Sequence, residues 1–301
     1  MEKRTHMKKT VFTVGAILLA SAFTTVHAED TLAKIAETKR FVVAYRESSV
    51  PFSYLNGPEK PIGYGVDIEK AIVESVKKKL NLPNLEVSWR PVTSQNRIPL
   101  LTNGTIDLEC GSTTNNSARG KEVAFAVNYF YTGTRLLVKK DSGIKSFADL
   151  KGKRVASTTG TTNLAVTRRY NEEKKLDIDI FSAKDHSDGL LMVESGRASA
   201  LALDDVVLYG LRTSAKNPAD LEIVGDALQV EPYACMLRKD DPKFKALVDE
   251  TIVGMMKSGE FEKLYRKWFI DPIPPRSQAV GLPMSKELRD TIATPTDKPA
   301  T

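Results

Sequence analysis

The sequence predicts a mixed α/β protein with two lobes joined by a pair of strands. Short apolar or alternating segments, typical of strands, alternate along the chain with segments of helical periodicity. Two strand-like segments that end in basic residues, at 133–141 and 230–240, bracket a second set of such elements. The chain also has the length of two ordinary domains. We therefore predict lobe one from residues 29–134 and 233–301, with lobe two (135–232) inserted.

Lobe one begins with a β-α-β-α-β pattern, which is typical of a layered α/β domain. Its helix carries apolar residues at i, i+4 spacing on one face, as in Ile68, Ile72 and Val76. The predicted elements are a strand at 40–46, a helix at 65–80, a strand at 85–92, a short helix at 94–104 and a strand at 105–110.

Lobe two repeats the alternation, and the chain then returns to lobe one. Residues 241–269 predict two helices broken at Ser258-Gly259, and the tail from Ile270, with six prolines, predicts an irregular wrap around lobe one. The strands predicted for lobe two are 154–160, 177–183, 198–204 and 221–225, and the helices are 162–176, 185–197 and 205–216.

Residues 1–28 predict a signal peptide. A basic start precedes the apolar run VFTVGAILLASAF, and Val26-His27-Ala28 places small residues at positions −3 and −1 of a cleavage site after Ala28. The apolar run is shorter than a comfortable membrane span. We expect an exported, soluble protein.

Charge and histidine content exclude several kinds of function. The net charge is +6, of which the signal segment, with four basic residues and one acidic residue, carries +3. The remaining +3 is too small for a nucleic-acid binder, which needs clustered basic residues. His186 is the one histidine outside the signal segment, so a multi-histidine zinc site is excluded. We predict no metal and no cofactor.

The two cysteines of the chain, Cys110 and Cys235, allow two interpretations. In an exported protein an even count first indicates a disulfide. Alternatively, Cys110 is a nucleophile supported by the polar loop that follows it. In the disulfide interpretation, that loop is instead a cradle for an anion.

Polar side chains collect after the predicted strands, where open α/β sheets bind their ligands. Those of lobe one are Arg46, Ser94, Arg97, Ser112, Thr114 and Arg119, and those of lobe two are Thr159, Gly160, Thr161, Thr162, Asp185, His186, Asp204 and Asp205.

These residue types predict a site for a ligand with two carboxylates and one ammonium group. Free backbone N–H groups at a helix start bind anions, and a nearby arginine clamps a carboxylate with two charge-assisted hydrogen bonds. Three arginines face one or two aspartates in this set. A neutral amino acid would leave one buried guanidinium without a partner.

Several of these motifs resemble the periplasmic solute-binding proteins of bacterial amino-acid ABC importers (solute-binding protein family 3), and among them those for glutamate and aspartate. The resemblance runs from about Thr31 to the DPIPP segment and includes RESSVPFSY, TSQNRIPLL, LECGSTTNN, GTRLL, FADLKGK, GTT, AKDH and ESGRA. It implies a type II, Venus-flytrap fold that closes about a two-strand hinge. It further implies a periplasmic protein that passes L-glutamate or L-aspartate to a membrane permease. Nothing in the sequence indicates oligomerisation, so we expect a monomer.

The resemblance also implies roles for the predicted site residues at the α-carbon end of the ligand. Arg119, with Ser112 and Thr114, would hold the α-carboxylate. Asp204 would take the α-ammonium group, and Thr162 would close from lobe two.

At the other end, Arg46, Ser94, Arg97 and His186 would surround the side-chain carboxylate. The family carries cysteines at the positions of Cys110 and Cys235, which implies a disulfide within lobe one. The run SARGKEV around Arg119 departs from the usual family sequence without changing a proposed contact.

Two alternatives share this fold. One is a periplasmic dehydratase-like enzyme, in which His186 would act as a general acid or base; no nucleophile is paired with a base at motif spacing. The other is the ligand-binding domain of a sensor, which would use the same binding residues.

Overall fold

The computed structural model describes residues 30–58 and 60–300. The predicted signal peptide and its cleavage site lie outside the described residues. Within these two ranges, no helix combines the length and apolar character needed to cross a membrane.

Helices and strands alternate along most of the described chain. The helices are α1 (Thr31–Thr38), α2 (Tyr64–Leu80), α3 (Arg97–Thr102), α4 (Thr162–Lys174), α5 (His186–Glu194), α6 (Asp205–Ser214), α7 (Pro242–Ser258), α8 (Glu260–Tyr265) and α9 (Lys286–Ala293). The strands are β1 (Arg40–Tyr45), β2 (Ser48–Ser49), β3 (Ser53–Leu55), β4 (Pro61–Ile62), β5 (Glu86–Pro91), β6 (Val123–Phe125), β7 (Phe130–Lys139), β8 (Arg154–Thr158), β9 (Asp179–Ala183), β10 (Ala200–Asp204), β11 (Leu221–Val224), β12 (Val230–Tyr233) and β13 (Met236–Arg238).

In lobe one, β1 and β5 form a parallel pair, with Arg40 opposite Glu86. α2 packs here because Ile68, Ile72 and Val76 on one face are fully buried. The helix approaches the sheet closely at Gly65, where a Cβ atom would lie 1.7 Å from the carbonyl oxygen of Cys110. Only glycine fits at this position.

The prediction of a strand at 105–110 is wrong in its extent. Leu108 forms an isolated parallel bridge with Val43, and Glu109 forms an isolated antiparallel bridge with Met236. Because the pairing partner changes from one residue to the next, no continuous ladder forms. The segment nevertheless follows β1, and Ala44 donates its N–H to the Leu108 carbonyl at 2.9 Å.

Lobe two is built on a six-stranded sheet with the order β11-β7-β10-β8-β9, to which β12 adds by pairing with β7. Strands β8, β9 and β10 are parallel, so their carboxyl ends meet at one edge. That edge carries Thr158, Ala183 and Asp204 as the last residues of the three strands.

Two antiparallel strands connect the lobes. β7 pairs with β12 over Phe130–Gly133 and with β10 and β11 further along. The predicted boundaries at 134/135 and 232/233 fall at this ladder, and they stay a prediction. The single strand predicted at 230–240 is broken between β12 and β13, because Ala234 and Cys235 bond instead to Thr113 and Ala126.

Aromatic rings hold the two connecting strands against lobe one. The Phe52 ring lies edge-on to Phe130 of β7 at 5.0 Å and to Tyr233 of β12 at 5.1 Å. Tyr64 and Phe269 complete this buried cluster, with their ring centres 5.1 Å apart. The hinge strands are thus anchored at their lobe-one ends.

The C-terminal region follows the prediction in part. α7 ends and α8 begins around Gly259, whose φ of +75° suits glycine. The tail lies against lobe one, where Asn128 donates its side-chain N–H to the carbonyl of Lys298 at 2.9 Å. It is not wholly irregular, however, since it contains α9, capped by Ser285.

The disulfide interpretation of the cysteines is confirmed. Cys110 and Cys235 are bonded, with their Cα atoms 4.2 Å apart. Both residues are buried, and the described chain contains no free cysteine. Cys110 is therefore not a nucleophile, and the loop that follows it is available to bind a ligand.

Candidate functional site

The site lies between the lobes, where the carboxyl ends of strands from both sheets meet. The structure brings together all nine residues predicted to bind a ligand; seven are buried, and Arg119 and Thr162 are partly exposed. The lobes touch closely at Gly160, where a Cβ atom would lie 2.6 Å from Cα of Gln95. The cleft is thus closed in this structure.

Arg46, directly after β1, is the centre of one end of the cleft. Its Nη2 donates to Oγ of Ser94 at 2.9 Å and to Nε2 of His186 at 3.3 Å, so it links the two lobes. Burial, and then the charge of Arg97, lower the pKa of Arg46 to about 10. The guanidinium is still protonated at neutral pH and carries its charge in a dry environment.

His186 acts here as an acceptor. Because an arginine can only donate, Nε2 of His186 accepts from Arg46, and Nδ1 carries the proton that it donates to Oγ1 of Thr158 at 2.8 Å. Burial and the charges of Arg46 and Arg97 hold the pKa of His186 well below its ordinary value. The ring is neutral and orients Arg46.

Arg97, the first residue of α3, lies beside Arg46. Its Nη1 donates to the carbonyl of Ser112 at 3.0 Å and lies 3.9 Å from Oε1 of Glu109. Glu109 already accepts from the N–H of Gly111 at 2.9 Å and from Oγ1 of Thr113 at 2.5 Å. This carboxylate therefore balances part of the charge of Arg97 and also holds the loop after Cys110.

Three buried guanidinium nitrogens at this end have no hydrogen-bond partner within the described ranges. They are Nε and Nη1 of Arg46 and Nε of Arg97. A buried, charged N–H donor without a partner loses its hydration without compensation. A carboxylate has the charge and the two oxygen atoms that such donors match.

Arg119 marks the other end of the cleft, at the close of the polar loop. Its Nη1 donates to the carbonyl of Thr114 at 3.0 Å, and its Nη2 to the carbonyl of Gly160 in lobe two at 3.2 Å. Burial, and then the charge of Arg97, lower the pKa of Arg119 to about 10, so the side chain remains a cation at neutral pH.

Asp204, at the end of β10, supplies negative charge near Arg119. Its Oδ1 accepts from Nδ2 of Asn163 at 3.0 Å. Burial, and then the nearby carboxylate of Glu231, raise the pKa of Asp204 to about 7, although the hydrogen bond from Asn163 opposes the shift. A cationic ligand group beside Asp204 would favour its ionised form.

Sequence reasoning missed Glu109 and Glu231, both of which are buried. Oε2 of Glu231 accepts from Oγ1 of Thr114 at 2.9 Å and from Oγ1 of Thr162 at 2.6 Å. The sequence pattern of residues 230–240, which include Glu231, predicts an apolar hinge strand. A signal was present, because a charged residue inside an apolar strand requires a buried partner.

The fold and the site together define the class of protein to which this chain belongs. Two α/β lobes joined by paired strands enclose a buried, charged cleft of the kind that binds a small polar solute. The chain belongs to the bacterial extracellular solute-binding proteins, family 3, whose model matches residues 41–271.

Individual proteins are similar over most of the chain. The L-glutamate/L-aspartate-binding protein of Pseudomonas aeruginosa is 50% identical over 288 residues, with 95% of each chain covered. The glutamate/aspartate import solute-binding protein of Escherichia coli K12 is 52% identical over 271 residues, with 90% of each chain covered. An ancestral arginine-binding protein bound to arginine has a similar structure, with a TM-score of 0.68 and 29% identity over 77% of this chain and 98% of that one.

Proposed function

We propose that this protein binds L-glutamate and L-aspartate in the cleft and delivers them to the permease of an ABC importer. It acts as a monomer in the periplasm, and the lobes close on the ligand about β7 and β12. The names of the relatives that are about half identical support this choice of ligand. The partner permease and the periplasmic location rest on the family resemblance.

The observation that carries the proposal is a second set of carboxylate-binding groups, apart from Arg119. Arg46 and Arg97 present unpartnered N–H donors beside Ser94, and this end of the cleft is buried. A single α-carboxylate at Arg119 would leave those donors unused. We assign the side-chain carboxylate of the ligand to Arg46, Ser94 and Arg97, and its α-carboxylate to Arg119.

We propose no catalytic activity. His186 is the residue that a dehydratase-like enzyme on this fold would use as an acid or base. Both of its ring nitrogens are engaged, by Arg46 and by Thr158, and its pKa is held low. Such a ring positions Arg46 and is poorly placed to transfer a proton to a ligand.

Isothermal titration calorimetry of ligand-stripped, refolded protein tests the proposal. We expect tight binding of L-glutamate and L-aspartate, and binding of L-glutamine weaker by about 100-fold or more. An amide carries no negative charge and has one acceptor oxygen in place of two, and its NH₂ group would face the N–H donors of the arginines. Equal affinity for L-glutamine, or no binding of the acidic amino acids, would show that the second carboxylate site is misassigned. Incubation with prephenate-like acids, followed by NMR, tests for dehydratase activity in the same sample.

The affinity for L-glutamate is expected to rise with pH up to about 7 and to level off above it. In the ligand-free protein, burial and Glu231 raise the pKa of Asp204 to about 7, so the carboxyl group is largely protonated at about pH 6. An ammonium group beside Asp204 lowers that pKa, and binding at about pH 6 therefore releases a proton. Calorimetry in two buffers of different ionisation enthalpy measures the release.

The matched control for this proton release is Asp220→Asn, which alters an exposed carboxylate of lobe two. This variant should release as many protons as the unaltered protein. In Asp204→Asn, at ligand concentrations that restore binding, the release should disappear. Identical apparent enthalpies in both buffers for the unaltered protein would contradict the role of Asp204.

A further inference from the structure

Glu231 is placed so that it contacts both sides of the cleft from the hinge. It is the second residue of β12 and lies opposite Thr132 of β7. Its side chain is buried, and its Oε2 accepts hydrogen bonds from Thr114, in the loop of lobe one, and from Thr162, at the start of α4 in lobe two. One carboxylate oxygen therefore connects the two lobes.

The side chain of Glu231 is the acceptor in each of its hydrogen bonds. Oε2 accepts from two threonine hydroxyls, and Oε1 accepts from Nε2 of Gln229. A carboxyl group that only accepts is the ionised form. Glu231 thus adds a full negative charge to this end of the cleft, close enough to Asp204 to raise the pKa of that residue.

This arrangement fixes the direction of the two hydroxyl groups. A threonine hydroxyl has one proton to donate and lone pairs that accept. Both protons, from Thr114 and from Thr162, point to Glu231, and the two hydroxyl oxygens lie 3.4 Å apart. These oxygens can therefore offer only lone pairs to a ligand, and a lone pair repels a carboxylate and attracts an ammonium group.

We propose, on the basis of the function proposed above, that Glu231 is a positioning residue for the ammonium group of the ligand: it orients Thr114 and Thr162 as acceptors and adds its charge to that of Asp204. Amino acids are thereby preferred over acids of the same length that lack the ammonium group. This role differs from that of Arg119, which selects for a carboxylate. It also reassigns the Thr114 hydroxyl from the α-carboxylate, where the family resemblance implies it, to the ammonium group.

The substitution Glu231→Gln reverses the polarity of this arrangement with almost no change in shape. Gln229 donates to the position of Oε1, so the amide oxygen of the new side chain stays there and its NH₂ group faces the threonines. The hydroxyls must then accept from the amide and turn their protons toward the ligand. This orientation opposes an ammonium group and favours a carboxylate.

The test is the ratio of the affinities for L-glutamate and for glutarate, which has both carboxylates and no ammonium group, measured by calorimetry or by competition. In Glu231→Gln we expect the affinity for L-glutamate to fall by about 10- to 100-fold, as for the loss of one or two hydrogen bonds to a charged group. The affinity for glutarate should be unchanged or higher, so the ratio falls by at least about 10-fold. Glu222→Gln, which removes a lobe-two carboxylate paired with Lys145 away from the cleft, is the control and should keep the original ratio.

The outcomes separate this inference from the proposed function. If the unaltered protein does not bind L-glutamate, the proposed function itself fails. If it binds L-glutamate, and Glu231→Gln keeps the original ratio of the two affinities because both are unchanged or fall equally, the positioning role is wrong. Thr162→Val removes one of the two hydroxyls that Glu231 orients and leaves Glu231 itself in place. It decides the matter if Glu231→Gln does not fold. A lower ratio of the affinities for L-glutamate and glutarate then supports the positioning role, and an unchanged ratio overturns it.

Discussion

Replacement of Arg119 by alanine is expected to lower the affinity for L-glutamate by about 100-fold or more and to leave the fold intact. Arg119 is the cation of the polar loop at the end where we place the α-carboxylate, and a bidentate arginine–carboxylate contact contributes two charge-assisted hydrogen bonds. Its own contacts are two carbonyl oxygens, those of Thr114 and Gly160. The side chain is partly exposed, so its removal admits water, which can solvate these carbonyl groups and the nearby carboxylates of Asp204 and Glu231.

Calorimetry with L-glutamate and a thermal melt of the ligand-free variant measure the two parts of this prediction. Arg168→Ala is the matched control, because Arg168 is an exposed residue of α4. The affinity of Arg119→Lys for L-glutamate should lie between those of the two alanine variants, since an ammonium group keeps the charge but loses the bidentate geometry. Unchanged affinity in Arg119→Ala would remove Arg119 from the site.

Removal of the disulfide is expected to have the largest effect on stability. Cys110 and Cys235 are separated by 125 residues in sequence. In the chain-entropy model, a cross-link that closes such a loop lowers the entropy of the unfolded chain and stabilises the protein by about 5 kcal/mol. The double variant Cys110→Ala, Cys235→Ala should therefore have a melting temperature lower by about 10 °C or more.

Chemical unfolding of the double variant and of the unaltered protein, both ligand-free, provides the free energies to be compared. Ligand must be absent, because binding to the folded state adds stability of its own. The unaltered protein should show no free thiol when it is titrated after unfolding without reductant. A difference in unfolding free energy below about 1 kcal/mol, or one reactive thiol per chain, would contradict this prediction.

The order of helices and strands could be predicted because their signals are local. Ile68, Ile72 and Val76 recur at helical spacing, and each must be buried, so the sequence pattern and the packing of α2 agree. The candidate site could be predicted for a related reason. Arg46 directly follows β1 and Asp204 is the last residue of β10, and parallel strands bring their carboxyl ends to a common edge.

Elements that depend on a distant partner could not be predicted in the same way. The residues at 105–110 have a strand pattern but pair with β1 and with Met236 in turn. The strand predicted at 230–240 is interrupted because Ala234 and Cys235 bond to lobe one. In both cases the competition between pairing partners, and not local preference, sets where a strand ends.

The sequence by itself determined the fold class, the two-lobed organisation and the residue types gathered in the cleft. Only the tertiary structure decided how those groups use their hydrogen bonds: His186 accepts from Arg46, and Thr114 and Thr162 donate to Glu231. The physical reason is that a hydroxyl or an imidazole can either donate or accept, and the choice is made by the neighbour that the fold places beside it. Such neighbours are far apart in sequence, as Thr114 and Glu231 are, and no local pattern connects them.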